Sequence, residues 1–255
     1  MKYSIKRGII IPDQHFPLHD QSAVDVVLEA IKLIKPDIFV NLGDVGEWES
    51  VSSWRYKKIK QPPLEYQLPI IDEEISLVND GIDQFDRVLD KVKCDERYIC
   101  AGNHDEWLDS FVERYPYMSD YTFKKACRWS ERGYKYKAYN YPLKIGKLNF
   151  IHGAYATTYH AKKHLEAYGA NIVYGHTHDL QRHTLTKLDS GTIGAWGMGC
   201  LKDMSRDSNK WLKGRLHNWN HAFGIVTWFS NGNFQVEPIE IVNGRASVWG
   251  KIIEA

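Results

Sequence analysis

Along the first hundred residues the apolar positions switch between two periods, and each switch marks an element. Gly8–Pro12 (GIIIP) is a continuous apolar run closed by a breaker, which predicts a strand buried on both faces. Val24, Val27, Leu28, Ile31 and Ile34 then recur at helical spacing behind Asp20, a residue suited to cap a helix. A helix over Gln21–Lys35, stopped by Pro36, is the expectation. Ile38–Leu42 repeats the apolar run and leads into Gly43-Asp44, so strand, helix and strand predict a βαβ unit with a parallel pair.

The pattern dissolves from Val45 to about Leu68, where aromatic residues, basic residues and Pro62-Pro63 predict a long surface excursion or lid over 45–70. Helical spacing returns with Ile71, Ile75, Val78, Ile82, Phe85, Leu89 and Val92. Arg97–Ala101, Leu148–Ile151 and Asn171–Tyr174 predict three more strands. Alternation in Gly224–Phe229 and Phe234–Val242 predicts an antiparallel region that closes the fold. No repeat, low-complexity tract or linker divides the 255 residues, so one α/β domain over residues 1–255 is expected.

Composition narrows the class of protein without touching its chemistry. Thirty-three Lys and Arg against 32 Asp and Glu leave a net charge of +1, which argues against a polyanion-coating protein but leaves room for a local basic patch. No run approaches the ~18 apolar residues of a membrane span, and the amino terminus lacks the pattern of a secretory signal. Cys94, Cys100, Cys127 and Cys200 form no C-x-x-C pair and read as reduced thiols, so a cytoplasmic location without a membrane partner is expected.

The chemistry lies at the strand ends. Five predicted strands run into Asp13-x-His15, Gly43-Asp44, Gly102-Asn103-His104-Asp105, His152-Gly153 and Gly175-His176-Thr177-His178. Ligands of open α/β sheets bind beyond the carboxyl ends of strands, so these blocks can converge. In extended backbone, residues two apart project to one side, which would pair Asp13 with His15 and His176 with His178, while Asn103 and His104 point apart. Asp, Asn and His without thiolate suit Mn²⁺, Fe, Zn²⁺ or Ni²⁺ better than a calcium cage or a cysteine-rich zinc site. Seven candidate ligands are too many for one tetrahedral ion and fit two divalent ions sharing a carboxylate, the device used for in-line attack at phosphorus.

The five blocks, in this order between residues 13 and 178, resemble the signature of the calcineurin-like metallophosphoesterases. That resemblance implies a β-sandwich of two mixed sheets flanked by helices, and two divalent metals with Mn²⁺ foremost. It implies that Asp13, His15 and His178 hold one ion, that Asn103, His152 and His176 hold the other, and that Asp44 bridges them. A metal-bridging hydroxide would be the nucleophile, and His104 would bind no metal but protonate the leaving oxygen. The protein Ser/Thr phosphatase branch follows its bridging Asp with x-x-Asp-Arg-Gly, whereas this chain reads Asp44-Val45-Gly46-Glu47-Trp48-Glu49. Glu47 can stand in for the acid, but the arginine is missing. The chain as a whole looks more like the small phosphoesterases of bacteriophages and bacteria, which would place a phage-encoded protein in the host cytoplasm.

The activity expected from that likeness is phosphodiester hydrolysis on a nucleotide-containing or single-stranded nucleic-acid substrate. A phosphomonoesterase acting on nucleotides or phosphoproteins is one alternative. A catalytically silent scaffold, like the retromer subunit of this fold, is another. Several residues outside the blocks divide between bland and functional readings. His160 with His164, and His217 with His221, are expected on solvated faces. His19 is either a surface residue or a substrate contact, and Asp179 is a candidate partner behind the metal ligands. The run Arg55-Tyr56-Lys57-Lys58-Ile59-Lys60, with Trp48 and Trp54, is either a solvated loop or a lid whose cations follow phosphates while its rings stack on bases.

Overall fold

The computed structural model describes residues 5–57, 59–188, 191–205 and 207–255. Strands β1 (Lys6–Ile11), β2 (Ile38–Asn41) and β3 (Glu96–Cys100) alternate with helices α1 (Gln21–Ile34) and α2 (Leu64–Val92), and α3 (Glu106–Arg114) follows. A short α4 (Phe123–Ala126) and β4 (Tyr134–Lys137) complete the first half. The chain continues through β5 (Leu143–Ile145), β6 (Leu148–Ile151), α5 (His160–Tyr168), β7 (Ile172–Tyr174), β8 (Leu180–Lys187) and β9 (Gly191–Met198). It closes with β10 (Ala222–Trp228), β11 (Phe234–Glu240), β12 (Arg245–Val248) and β13 (Lys251–Glu254).

Two mixed sheets result. The first has the order β11-β10-β1-β2-β3-β4, parallel from β1 to β4 and antiparallel where β10 joins β1 and β11 joins β10. The second has the order β5-β6-β7-β9-β8, with β6, β7 and β9 parallel to one another. Alternation in the buried strands builds the layers. Ile9, Ile11, Phe39 and Ile99 face the helices, packing with Val24, Val27 and Ile31 of α1 and Ile71, Val78, Ile82 and Phe85 of α2. Ile10, Ile38, Val40 and Cys100 face the other way, against Leu148, Phe150, Val173 and Met198 of the second sheet. Helix α5 covers that sheet's outer face through Ala161 and Leu165. The architecture is thus the expected α/β sandwich of two mixed sheets flanked by helices, and each fully buried aliphatic side chain contributes roughly 1.5–3 kcal/mol to it.

The caps explain the expected helix at α1: the Asp20 carboxylate accepts the Ala23 N–H at 2.9 Å, and Lys35 closes the helix in the left-handed region. Two expectations need correction. Helix α2 begins at Leu64 rather than near Ile71: the Pro63 carbonyl accepts the Gln67 N–H at 3.2 Å to open the first turn, and Pro69 removes only one donor in the second. The start of the 45–70 excursion is not a surface loop either, since Val45, Trp48 and Val51 are buried in the helix-side core. Trp54, Arg55 and Lys57 do stand in solvent, while Lys58 lies outside the described residues. Among the described residues no helix is long and apolar enough to cross a membrane.

Candidate metal centre

Parallel pairing sends the carboxyl ends of β1, β2 and β3 to one edge, and those of β6, β7 and β9 to the facing edge of the second sheet. Backbone hydrogen bonds stitch the loops beyond them together: Asp13 N–H to Gly43 O, His15 N–H to Asp44 O, Gly175 N–H to His152 O and Leu201 N–H to Asp13 O, all between 2.7 and 3.2 Å. The side chains approach one another for a different reason from the one the sequence suggests. Asp13, His15, Asp44, His176 and His178 are not extended but left-handed, with φ between 37° and 71°. Such conformations cost of order 1–3 kcal/mol each and persist where the surroundings impose them. Two glycines make the approach sterically feasible, because a Cβ would stand 2.1 Å from Asp44 Oδ1 at Gly102 and 2.2 Å from Asp13 Oδ2 at Gly175.

All seven expected ligands come together as one chain of donor atoms. Asp13 Oδ1 lies 3.4 Å from His178 Nε2, which lies 3.1 Å from His15 Nε2, which lies 3.7 Å from Asp44 Oδ2. Asp44 Oδ2 is 3.2 Å from His152 Nε2, and that nitrogen is 3.0 Å from Asn103 Oδ1 and 3.3 Å from His176 Nδ1. Asp44 therefore sits between the group Asp13, His15, His178 and the group His152, His176, Asn103. Asp13 and Asp44 are almost completely buried. His152 donates from Nδ1 to the Leu42 carbonyl at 3.0 Å, which turns Nε2 toward the cluster, where a cation would take the place of its proton. His178 Nδ1 is buried and has no partner among the described residues. Converging imidazole nitrogens, buried carboxylates and no thiolate fit divalent transition metals.

The electrostatics follow from this crowding. Burial alone would raise the Asp44 carboxyl, but the imidazoles of His152, His104 and His15 outweigh it and hold it well below the usual carboxylate range. Burial lowers His15 and His176 each to about 4. For His152 the carboxylate of Asp44 overcomes burial and raises it to about 9. Asp105 rises to about 7 because it is buried and faces Asp44. It has a structural task, accepting N–H groups of Gly102 at 2.8 Å and Val45 at 3.2 Å and the indole N–H of Trp48 at 3.0 Å, so it ties the second and third strand-end loops together.

His104 and Asn103 do turn to different partners. The His104 backbone N–H donates to Asp44 Oδ1 at 2.8 Å, its ring packs 4.0 Å from Trp107, and its Nδ1 donates to the backbone carbonyl of Glu47 at 3.0 Å. The group that orients His104 is thus the peptide oxygen of Glu47, not its carboxylate. That carboxylate lies 2.8 Å from His15 Nδ1 and 2.6 Å from the buried Lys202 Nζ. Lys202 follows β9, a sixth strand end that the apolar pattern missed because GTIGAWGM is rich in glycine. Trp219, also unforeseen, packs its ring 4.6 Å from His178.

The other candidate residues engage partners of their own outside the seven donors. His19 has both ring nitrogens engaged, by Pro17 O at 3.1 Å and Gln21 Oε1 at 2.7 Å. Arg55 pairs with Glu49 at 2.7 Å, and Lys57 lies over the Trp54 ring at 3.6 Å. His160 and His164 are buried rather than solvated. His160 joins Tyr174 OH at 2.6 Å to Asp179 at 2.8 Å, so Asp179 partners His160 and not a ligand of the cluster. His217 and His221 are not on a helix.

Over nearly its whole length the chain is similar to the Gene 54 proteins of two Mycobacterium phages. Identity is 25% over 266 residues for phage L5, covering 98% of this chain and 99% of that protein. For phage D29 it is 24% over 272 residues, with the same coverage of 98% and 99%. Among solved structures, Vacuolar Protein Sorting 29 from Cryptosporidium parvum aligns with a TM-score of 0.47 at 10% identity, over 98% of this chain and 99% of that one. YfcE, a phosphoesterase from E. coli, aligns with a TM-score of 0.35 at 14% identity, over 91% and 98%. No protein-family profile matches the chain.

Proposed function

We propose that this protein is a phosphoester hydrolase dependent on two divalent cations. The observation that carries the reading is the unbroken chain of seven donors with the buried Asp44 at its middle. Asp13, His15 and His178 would hold one cation, His152, His176 and Asn103 the other, and Asp44 would bridge them. Cations bound there would activate water and neutralise phosphoryl oxygens. The carbonyl of Glu47 fixes the proton of His104 on Nδ1. A proton carried on Nε2 of His104 is then the one passed to the leaving oxygen as its bond to phosphorus breaks. Retention of His104 and of every donor speaks for catalysis over a silent scaffold.

A diester is the better substrate. Lys202, the cation beside the cluster, is neutralised by Glu47 and so is not free to meet the second charge of a monoester. The proposed substrate is a nucleotide-containing phosphodiester, with Mn²⁺ as the first metal to try. Exhaustive chelation should abolish hydrolysis of bis-p-nitrophenyl phosphate, and Mn²⁺ should restore it with p-nitrophenyl phosphate cleaved more slowly. Undiminished hydrolysis after chelation, or none of either ester after Mn²⁺ loading, would refute the reading.

A further inference from the structure

The sequence places aromatic rings and cations together at 48–60, yet Trp48 is buried, Arg55 is paired with Glu49, and Lys57 covers Trp54. A second segment has the same chemistry and lies against the donor cluster. Residues 210–221 contain Lys210, Lys213 and Arg215, two tryptophans and no acid. None of the three cations is in an ion pair among the described residues, and all three are exposed.

Asn220 anchors this segment. Its N–H donates to the His178 carbonyl at 2.8 Å, its carbonyl accepts the Cys200 N–H at 3.0 Å, and its side-chain oxygen accepts the Leu180 N–H at 3.2 Å. Trp219 is therefore held beside His178, ring centroids 4.6 Å apart and inclined at 64°. From Trp219 the rings step outward, to His217 at 4.8 Å and Trp211 at 6.0 Å. Trp211 is 59% exposed, so the outer end of the series presents an open aromatic surface. The inner end is fixed and the outer end is free, which is the form of a ramp leading away from the proposed metals.

We propose that Trp211, His217 and Trp219 bind the base of a nucleotide whose phosphodiester lies at the metals, while Lys210, Lys213 and Arg215 follow the adjoining phosphates. The proposal rests on the hydrolase reading only for the position of the phosphate. Aromatic rings accept any base by its face, and cations add affinity that salt weakens, so the ramp selects nucleotides without strict sequence preference.

The test compares thymidylyl-(3′→5′)-thymidine with its abasic counterpart, titrated calorimetrically into the full-length, Mn²⁺-loaded His104→Ala protein, where hydrolysis is slowed. The base-bearing probe should bind about 5- to 100-fold tighter, the range expected from stacking. Trp219→Leu should bring that ratio close to one. Trp211→Ala, an exposed change that spares the fold, should lower the ratio at least threefold. Equal affinity for both probes, or a ratio unmoved by both substitutions, would overturn the proposal. So would sedimentation showing that Trp211→Ala acts by dissociating a dimer. A protein that hydrolyses no phosphoester but keeps a tryptophan-dependent base preference would lose the hydrolase reading and keep the ramp. Hydrolysis indifferent to the base would do the reverse.

Discussion

Lys202→Met separates what Glu47 does for the fold from what it does for the metals. Lys202 is 3% exposed and its ammonium lies 2.6 Å from Glu47 Oε2, the oxygen that also lies 2.8 Å from His15 Nδ1. Methionine keeps the volume and removes the charge, leaving a mostly buried carboxylate with one imidazole partner. Breaking a buried pair in this way costs ~3–5 kcal/mol. The Glu47 side chain retains 21% exposure, so water can enter and the cost falls at the lower end, about 3 kcal/mol. With an unfolding entropy of ~2.1 cal/mol/K per residue, the metal-free melting temperature should drop by about 6 °C. Manganese affinity should change little, because His15 keeps its carboxylate. In the double variant Glu47→Met/Lys202→Met, stability should largely return, since an apolar pair can replace a buried ion pair at little cost. Its manganese affinity should fall 10- to 100-fold, because His15 has lost the group that orients it. Thermal melts of the metal-free proteins and calorimetric Mn²⁺ titrations read the two effects separately. A Lys202→Met protein as stable as the parent, or a double variant that binds manganese normally, would refute the reasoning.

His104→Ala should lower kcat by about 10²–10⁴ on a diester with a poor leaving group, and by much less on p-nitrophenyl esters, with metal content unchanged by elemental analysis. Gly102→Ala should displace the Asp44 carboxylate, since the new Cβ would stand 2.1 Å from Asp44 Oδ1, and elemental analysis should find the purified protein depleted of metal. His164 should make the fold acid-sensitive. Its Nε2 accepts the Ala154 N–H at 3.0 Å, and burial lowers its pKa to about 4. As pH falls below the ordinary value near 6.5, the unfolded chain takes up this proton before the folded one, so stability is lost between about pH 6.5 and 4 and no further below. The full loss is about 3 kcal/mol, and urea unfolding of His164→Gln across that window should show a shallower pH slope than the parent.

Much of the site was legible because its signal is local. An apolar run followed at once by Asp, Asn or His needs only the parallel direction of the strands to gather those side chains, and β1, β2, β3, β6 and β7 all obey it. What escaped depends on partners far away in sequence. His160 and His164 look solvated on α5 because Tyr174 and Asp179, which make their burial affordable, lie on and beyond β7. Lys202 reads as a surface cation until Glu47, 155 residues earlier, is brought to it. Trp48 reads as part of a loop because neither the core of α2 and α3 nor the Asp105 acceptor is visible in its own segment. The left-handed turns at the strand ends were hidden for a different reason: Asp and His carry no glycine mark, and the loops impose their φ.

The central claim is that two cations share Asp44, and counting ions tests it most directly. The parent and Asp44→Asn proteins, stripped, reloaded with Mn²⁺ and freed of excess ion, would be analysed for bound metal per chain by elemental analysis. Two ions should be found in the parent and both positions should lose metal in Asp44→Asn, with circular dichroism unchanged because the sheets and their apolar cores form without metal. One ion or none in the parent, or two retained in Asp44→Asn, would contradict it.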